Sequence, residues 1–334
     1  MKTAIFSTHK FETDFFEQAN MEFQHALTFF EPRLTGQTAP LAKGYDAICA
    51  FVSDRLDEKT LAVLKAQGTK LIALRSAGYN HVDLEACARF NLPVVRVPEY
   101  SPYAVAEHAV CLILGLNRKI HRAFNRVREF NFSLDGLVGF DLHGKTVGVI
   151  GTGKIGAVFA RIMRGFGCRV LAYDPKQNTV LQRTYGIEYV DLDTLYRQSD
   201  VISLHAPLSP ATHHLINDSA LSRLKRGSML INTSRGALID ANALISALKN
   251  GSLGSAGLDV YEEEEGIFFE NLSDQVMQDD TLARLLTFPN VLVTSHQAFL
   301  TVEALANIAH TTLKNISDFE LGLPLQNQVG NPIS

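Results

Sequence analysis

Gly151, Gly153 and Gly156 fall in a G-x-G-x-x-G spacing, and what flanks them gives that spacing meaning. Before them runs TVGVI, a short apolar β-branched stretch of the kind that forms a buried parallel strand. After them Ile155, Val158, Phe159, Ile162 and Met163 recur at helical intervals. Each glycine then has a physical task. Gly151 permits the tight turn, Gly153 lets backbone approach a pyrophosphate, and Gly156 lets helix and strand pack closely. The helix start at Lys154 and Ile155 offers N–H groups and partial positive charge to phosphates. A second strand, CRVLAYD, ends in Asp174, an acceptor for both ribose hydroxyls of NAD that would repel the 2′-phosphate of NADP. Pro175 beside it is no compensating arginine, so the expected cofactor is NAD.

Three further features suit the other half of such a reaction: Arg235, one of Glu262 to Glu265, and His296. Moving a hydride between nicotinamide and an alcohol carbon needs a group that takes and returns the hydroxyl proton. Histidine titrates in the right range for that. A neighbouring carboxylate favours the imidazolium and holds one tautomer. Arginine grips a carboxylate through two parallel hydrogen bonds and so fixes the reacting carbon. Taken singly, each residue also has a structural reading: a strand-end histidine in a packed core, a surface arginine, a solvated acidic loop. On composition alone His81, His108, His205, His213, His214 and His310 compete with His296, and spacing does not choose among them.

The elements that must position these residues follow a βα rhythm. TAIFS, YDAICAF, KLIAL and PVVRV read as strands, and segments near 11–20, 57–67 and 81–90 read as helices, with Asp57 as an N-cap for the second. Ser101-Pro102 opens a long helix through AVAEHAVCLILGLNRKI. It is apolar on most of its circumference and is read as the crossing from a first domain to a second. Beyond the glycine motif, VISLHAP, SMLINTSRG, GSAGLDVYE and NVLVTSHQA read as strands with polar ends, and residues 300–322 as a closing helix. These ends lie on one edge of a parallel sheet, beside the dinucleotide.

With 334 residues there is room for two domains and their cores. A net charge of −4 gives no reason to invoke nucleic acid or an anionic membrane. The local basic run Arg118, Lys119, Arg122, Arg126, Arg128 reads as a solvated helix face or a subunit contact. Cys49, Cys87, Cys111 and Cys168 are scattered, with no C-x-x-C pair, which suits a reducing cytoplasm and gives no zinc or disulfide framework; no metal is expected. The N-terminus lacks the apolar run of a signal peptide, and no stretch is apolar enough to span a membrane.

From about Ser76 to Leu305 the chain resembles the D-isomer-specific 2-hydroxyacid dehydrogenases, and within them the fermentative D-lactate dehydrogenases. The stretches that carry the likeness are RSAGYNHVDL, VPEYSPYAVAEHAV, GKTVGVIGTGKIG, Asp174, SLHAPL, LINTSRGALID, GLDVYEEE and SHQAFLTVEAL. The resemblance implies Arg235, Glu264 and His296 as the catalytic set, with Glu263 the alternative register for the glutamate. It places Asp259 near the nicotinamide ribose and carboxamide, and Val105 on the nicotinamide side. His205, Pro207, Thr233, Ser234 and Ala298 complete the expected cofactor contacts. Ser76, Ala77, Gly78 and Tyr100 fall around the substrate carboxylate, and Phe299, less securely Phe51, faces the substrate side chain.

The implied fold is α/β, with two doubly wound parallel-sheet domains and a cleft between them. A Rossmann cofactor domain, 101–299, is inserted into a flavodoxin-like substrate domain, 1–100 and 300–334. The implied activity is NADH-dependent reduction of pyruvate to D-lactate by a homo-oligomer, dimer or tetramer, built through the cofactor domain. The rival readings are another D-2-hydroxyacid as substrate, or an NAD-sensing module without turnover.

Overall fold

The computed structural model describes residues 1–330. Residues 331–334 of the expected substrate domain lie outside the described ones. The chain forms two compact units, Met1–Ser101 with the chain from Phe299 onward, and Pro102–Ala298 between them.

The first unit opens with β1 (Lys2–Ile5), α1 (Lys10–Phe23), β2 (Ala26–Phe29), β3 (Ala47–Ala50), α2 (Glu58–Ala66), β4 (Leu71–Leu74), α3 (Leu84–Arg89) and β5 (Val94–Val95). The strands AICA and LIAL are buried at every position, as strands covered on both faces must be. Asp57 caps α2, its side chain accepting from the Thr60 N–H at 2.9 Å.

The second unit carries α4 (Pro102–Arg118), α5 (Ile120–Arg128), β6 (Thr146–Ile150), α6 (Lys154–Gly165), β7 (Arg169–Tyr173), α7 (Thr179–Tyr185), β8 (Glu188–Tyr189) and α8 (Leu192–Gln198). It continues through β9 (Val201–Leu204), α9 (Asp218–Arg223), β10 (Ser228–Asn232), α10 (Ala241–Lys249), β11 (Leu253–Leu258), α11 (Asp280–Leu286) and β12 (Val291–Val293). The chain then returns to the first unit with α12 (Val302–Glu320) and β13 (Gln328–Val329).

Both sheets are doubly wound. In the first the parallel order is β2-β1-β3-β4-β5, the flavodoxin-like 2-1-3-4-5 pattern, with β13 added antiparallel beside β5. In the second all seven strands are parallel in the order β8-β7-β6-β9-β10-β11-β12. Numbered within the unit this is 3-2-1-4-5-6-7, the Rossmann order with one more strand. It reverses between β6 and β9, the crevice where such sheets bind dinucleotides.

Several elements differ from the sequence reading. Strands β2, β8 and β13 carry no long apolar run and lie at the edges of their sheets. The long helix does not continue through Ile120: Lys119 takes a left-handed φ of 50° and a separate helix, α5, begins. Nor is α4 only a crossing. Its Ala106, Ala109, Val110, Ile113 and Leu116 pack into the core with Val147, Val149, Met229 and Ile231, covering one face of the second sheet. No helix among the described residues is long and apolar enough to cross a membrane.

Arg75, next after β4 and fully buried, ties the first unit together. Its Nε donates to Glu12 Oε2 and its Nη2 to Glu12 Oε1, both at 2.9 Å, and Nη2 also donates to the Phe6 and Ser7 carbonyls. Phe51 lies under the guanidinium, 4.6 Å from ring centre to Cζ, and is itself buried. Burial raises the pKa of nearby Asp54, and the charge of Arg75 works against that rise. Arg75→Met should therefore strand buried carboxylates and cost about 3–5 kcal/mol in urea unfolding at neutral pH. The stranded acids would hold protons more tightly folded than unfolded, so the deficit should shrink as pH falls. An unchanged midpoint would dismiss the pair as a stabilising device.

Candidate active site

The site is an edge of the second sheet. Register aligns Ile150 with Leu204, Leu204 with Asn232, Asn232 with Leu258, and Leu258 with Val293. Neighbouring parallel strands therefore release, side by side, the turns that hold Gly151, His205, Arg235, Asp259 to Glu264, and His296. Adjacent strands lie about 4.8 Å apart.

At the reversal point, Gly151 has a φ of 93°, and an added Cβ would lie 2.6 Å from the His205 carbonyl carbon. At Gly156 a Cβ would fall onto the Gly151 carbonyl oxygen. These two glycines are required by the protein's own packing. Gly153 is different: it is the N-cap of α6, and a Cβ there would meet no protein atom within 4 Å. That open cradle above a helix N-terminus fits a pyrophosphate. Asp174, at the end of β7, is held by neighbouring backbone. Its Oδ2 accepts from the Thr152 N–H at 2.6 Å and its Oδ1 from the Lys176 N–H at 2.8 Å. Tyr189 donates its hydroxyl to Thr152 Oγ1 at 2.8 Å and so braces this turn. Thr233, buried at the end of β10, has an Oγ1 without a partner among the described residues, a polar atom suited to a bound cofactor. The residues present thus fit NAD.

Arg235 sits on a turn built by Asn232. The Asn232 Oδ1 accepts from the Ser234 N–H at 3.0 Å, and its Nδ2 donates to the Arg235 carbonyl at 2.8 Å. Ser234 Oγ donates to the Ala206 carbonyl at 2.7 Å, fastening this turn to the one that carries His205 and exposed Pro207. The Arg235 guanidinium makes a 2.6 Å bond to the Ser234 carbonyl.

His296 and Glu264 are paired, Nδ1 to Oε1 at 2.7 Å, both half-buried. Glu264 Oε2 accepts from the Tyr261 N–H at 3.1 Å, and the Phe269 ring lies 5.8 Å from that of His296. His296 has a φ of 49°, a left-handed conformation that costs energy for a residue with a Cβ and that gathers at functional sites. Asp259 enforces it. Fully buried, it accepts from Thr294 Oγ1 at 2.6 Å, from the Gln297 N–H at 2.9 Å and from the Ala298 N–H at 2.9 Å, while its carbonyl takes the His296 N–H at 2.7 Å. Burial alone would raise the pKa of Asp259, but hydrogen bonds from His108, Thr294 and Ala298 outweigh it and hold the carboxylate below its usual range. It remains ionised and braces the loop on which His296 stands.

The competing histidines have other places. His205 is pushed down to about 3 by burial and is neutral, with Ser203 Oγ 2.9 Å from its Nε2 and the Phe159 ring 4.9 Å away. His108 sits behind Asp259, 3.4 Å from Oδ1. His310 approaches Glu22 at the surface of the first unit. Val105 is buried in the first turn of α4.

In the first unit, Ser76 Oγ donates to the Gly78 carbonyl at 2.7 Å, and Arg96 Nη1 donates to the Ala77 carbonyl at 2.6 Å, so the 76–78 turn is held from both sides. Tyr100 and Phe299 meet edge to face at 6.3 Å, and Phe11 adds a third ring 6.4 Å from Phe299. Arg96, Phe11, Thr152, Tyr189 and Asn232 escaped the sequence reading. Only Asn232 left a signal, as an Asn closing a strand before a turn. A cavity of about 220 Å³ lined by Lys119, Arg122, Gly227 and Asn290 lies at the opposite, N-terminal end of β10 to β12, away from this chemistry.

Comparison with known proteins places the chain in a family. The family described as D-isomer specific 2-hydroxyacid dehydrogenase, NAD binding domain, matches residues 110–298. The chain is 52% identical, over 98% of its length and 100% of the relative's, to the D-lactate dehydrogenase of Escherichia coli (strain K12). Among solved structures it matches the pyruvate reductase of Chlamydomonas reinhardtii with a TM-score of 0.93 at 48% identity, covering 98% of each chain. It matches the D-lactate dehydrogenase of Aquifex aeolicus, complexed with NAD and lactic acid, with a TM-score of 0.87 at 34% identity, covering 99% of this chain and 100% of that one.

Proposed function

We propose, since this chain belongs to the D-isomer specific 2-hydroxyacid dehydrogenases and is an NAD-dependent oxidoreductase, that its reaction is the reduction of pyruvate to D-lactate. The observation that carries the reading is the 2.7 Å His296–Glu264 pair on the sheet edge that also holds the Arg235 turn. Bound NADH supplies the hydride. Arg235 holds the substrate carboxylate as a two-pronged donor. With Nδ1 engaged by Glu264, the Nε2 of protonated His296 is left to deliver a proton to the keto oxygen, and takes it back in reverse. Glu264 holds the ring through Nδ1, and Asp259 keeps the loop in place. Ser76, Ala77 and Gly78 are assigned to the substrate carboxylate, their turn held by Ser76 Oγ and Arg96, and Tyr100 and Phe299 to the substrate side chain.

The names of the E. coli and Chlamydomonas relatives support pyruvate as the substrate. The deciding experiment follows NADH oxidation with pyruvate, 2-oxobutyrate, oxaloacetate, glyoxylate and hydroxypyruvate, then NAD reduction with D- and L-lactate. Pyruvate and D-lactate should lead their sets. A larger 2-oxoacid preferred over pyruvate by tenfold, or turnover of L-lactate, would overturn the assignment. Asp174, held in place by Thr152 and Lys176, should make kcat/KM at least about a hundredfold higher with NADH than with NADPH, the equivalent of roughly 2.7 kcal/mol. Equal rates would remove Asp174 from the ribose.

The chain is further assigned to a homo-oligomer formed through the cofactor domain. Ile120, Phe124 and Phe130 are 60%, 59% and 84% exposed, on and just beyond α5, a patch suited to cover by a second copy. Sedimentation as a monomer at micromolar concentration would refute this. All four cysteines are free thiols, which fits a reducing cytoplasm.

A further inference from the structure

The basic chemistry of the second unit is not confined to His296. His213 and His214 lie in the loop after β9, and Glu262 in the loop after β11. The His214 Nε2 lies 3.0 Å from both Glu262 oxygens, and the His213 Nε2 lies 3.6 Å from Oε1. The two imidazoles stack with their centres 4.0 Å apart and 24° between their planes. One ligand atom from each of the three residues falls within 4.8 Å of the other two. His213 is exposed, and His214 and Glu262 are half-buried.

We propose that His213, His214 and Glu262 form a binding site for a divalent transition metal of the zinc class. Two imidazoles and one carboxylate are a donor set that tetrahedral zinc accepts, leaving the fourth position to water. Metal–ligand bonds of about 2.0–2.2 Å in a tetrahedron put ligand atoms about 3.3–3.5 Å apart. The observed 3.0 and 3.6 Å imidazole–carboxylate separations bracket that value, and the two stacked rings must turn until their Nε2 lone pairs converge on one point. Nitrogen donors select zinc, cobalt, nickel or copper over magnesium and calcium, which want oxygen. Cysteine spacing gave no reason to expect a metal because this donor set contains no cysteine.

Both supporting loops are fixed before any ion arrives. His213 N–H bonds to the Ser209 carbonyl at 2.9 Å and His214 N–H to the Ala237 carbonyl at 2.8 Å, while Asn217, the cap of α9, donates to the His214 carbonyl. On the other side Tyr261 is buried, and Gly236 is pressed so closely on the Tyr261–Glu262 backbone that a Cβ there would overlap it. An ion would thus cross-link two rigid loops, one of which continues to Glu264 two residues on. The Tyr261–Glu264 turn, closed by the 3.1 Å bond from the Tyr261 N–H, would then be clamped from outside.

The test uses the full-length protein, stripped with EDTA and dialysed, and does not depend on its reaction. Zinc chloride should bind with one site per chain by calorimetry and raise the unfolding temperature by several degrees, while magnesium chloride does neither. Cobalt(II) should develop the visible absorption of a tetrahedral site. His213→Ala, at an exposed position, should fold normally yet lose more than about tenfold in zinc affinity, since even outer-shell partners cost 10–100-fold. Glu262→Gln should lose as much and abolish the cobalt band. Zinc binding unchanged in both variants, or no uptake by the parent chain at micromolar zinc, would overturn the site.

Discussion

Replacing His296 by Ala should lower kcat/KM for pyruvate reduction by 10²–10⁴, the range that a positioned general acid contributes. The expectation rests on how closely the imidazole is specified. Its Nδ1 is engaged by Glu264 at 2.7 Å, its backbone N–H by the Asp259 carbonyl at 2.7 Å, and its φ of 49° is imposed by the loop. The loss should fall on kcat, because the proton is transferred in the transition state and not in binding. NADH affinity should be preserved, since the glycine turn and Asp174 lie across the sheet at β6 and β7. Glu264→Gln tests the same assignment from the other side. It keeps a hydrogen-bonding partner at Nδ1 and removes the carboxylate charge, so kcat for reduction should fall while NADH binding is preserved. A loss below tenfold for His296→Ala, with fold and NADH binding intact, would remove the residue from proton transfer.

How far this site is visible in the sequence depends on what defines each residue. Strands β3, β4, β6 and β10 are visible because a strand covered on both faces must be apolar throughout, and all but the first residue of β6 are buried. The turn after β6 is visible because two of its glycines answer to packing and the third to a ligand, which leaves a spacing. Edge strands β2 and β13 lack that demand and leave no mark. The break at Lys119 carries no Gly or Pro, so nothing announces it. Within the site, the four consecutive glutamates are equivalent as letters. What separates Glu264 from its neighbours is a backbone N–H three residues back and the imidazole of His296 in the turn after β12. The same holds for the support of Asp174, where Tyr189 reaches Thr152 across 37 residues of sequence. Chemistry at strand ends is legible by residue type, whereas the residues that aim it are chosen by the fold.

Arg235→Lys should be the second costly change, raising the KM for pyruvate and lowering turnover together. Lysine keeps the charge, so a site that needed only a positive potential would tolerate it. The turn here is built for more. Asn232 holds it at both Ser234 and Arg235, and Gly236 seals it against the Tyr261 backbone. One guanidinium nitrogen is fixed by the Ser234 carbonyl at 2.6 Å, which orients the planar fork. A carboxylate on that fork receives two parallel bonds and cannot rotate, and this fixes which face of the keto carbon meets the nicotinamide. An ammonium makes a single contact about which the substrate swivels, and a misplacement of about 1 Å can cost 10²-fold. The expected loss in kcat/KM is therefore about 10²–10³, with part of it in kcat. Arg235→Gln should lose more, since charge and fork go together. If Arg235→Lys raised KM and left kcat untouched, the arginine would serve binding alone, with no part in orientation. If both constants were unchanged, the substrate anion would be held elsewhere and the proposed arrangement of the sheet edge would fail with it.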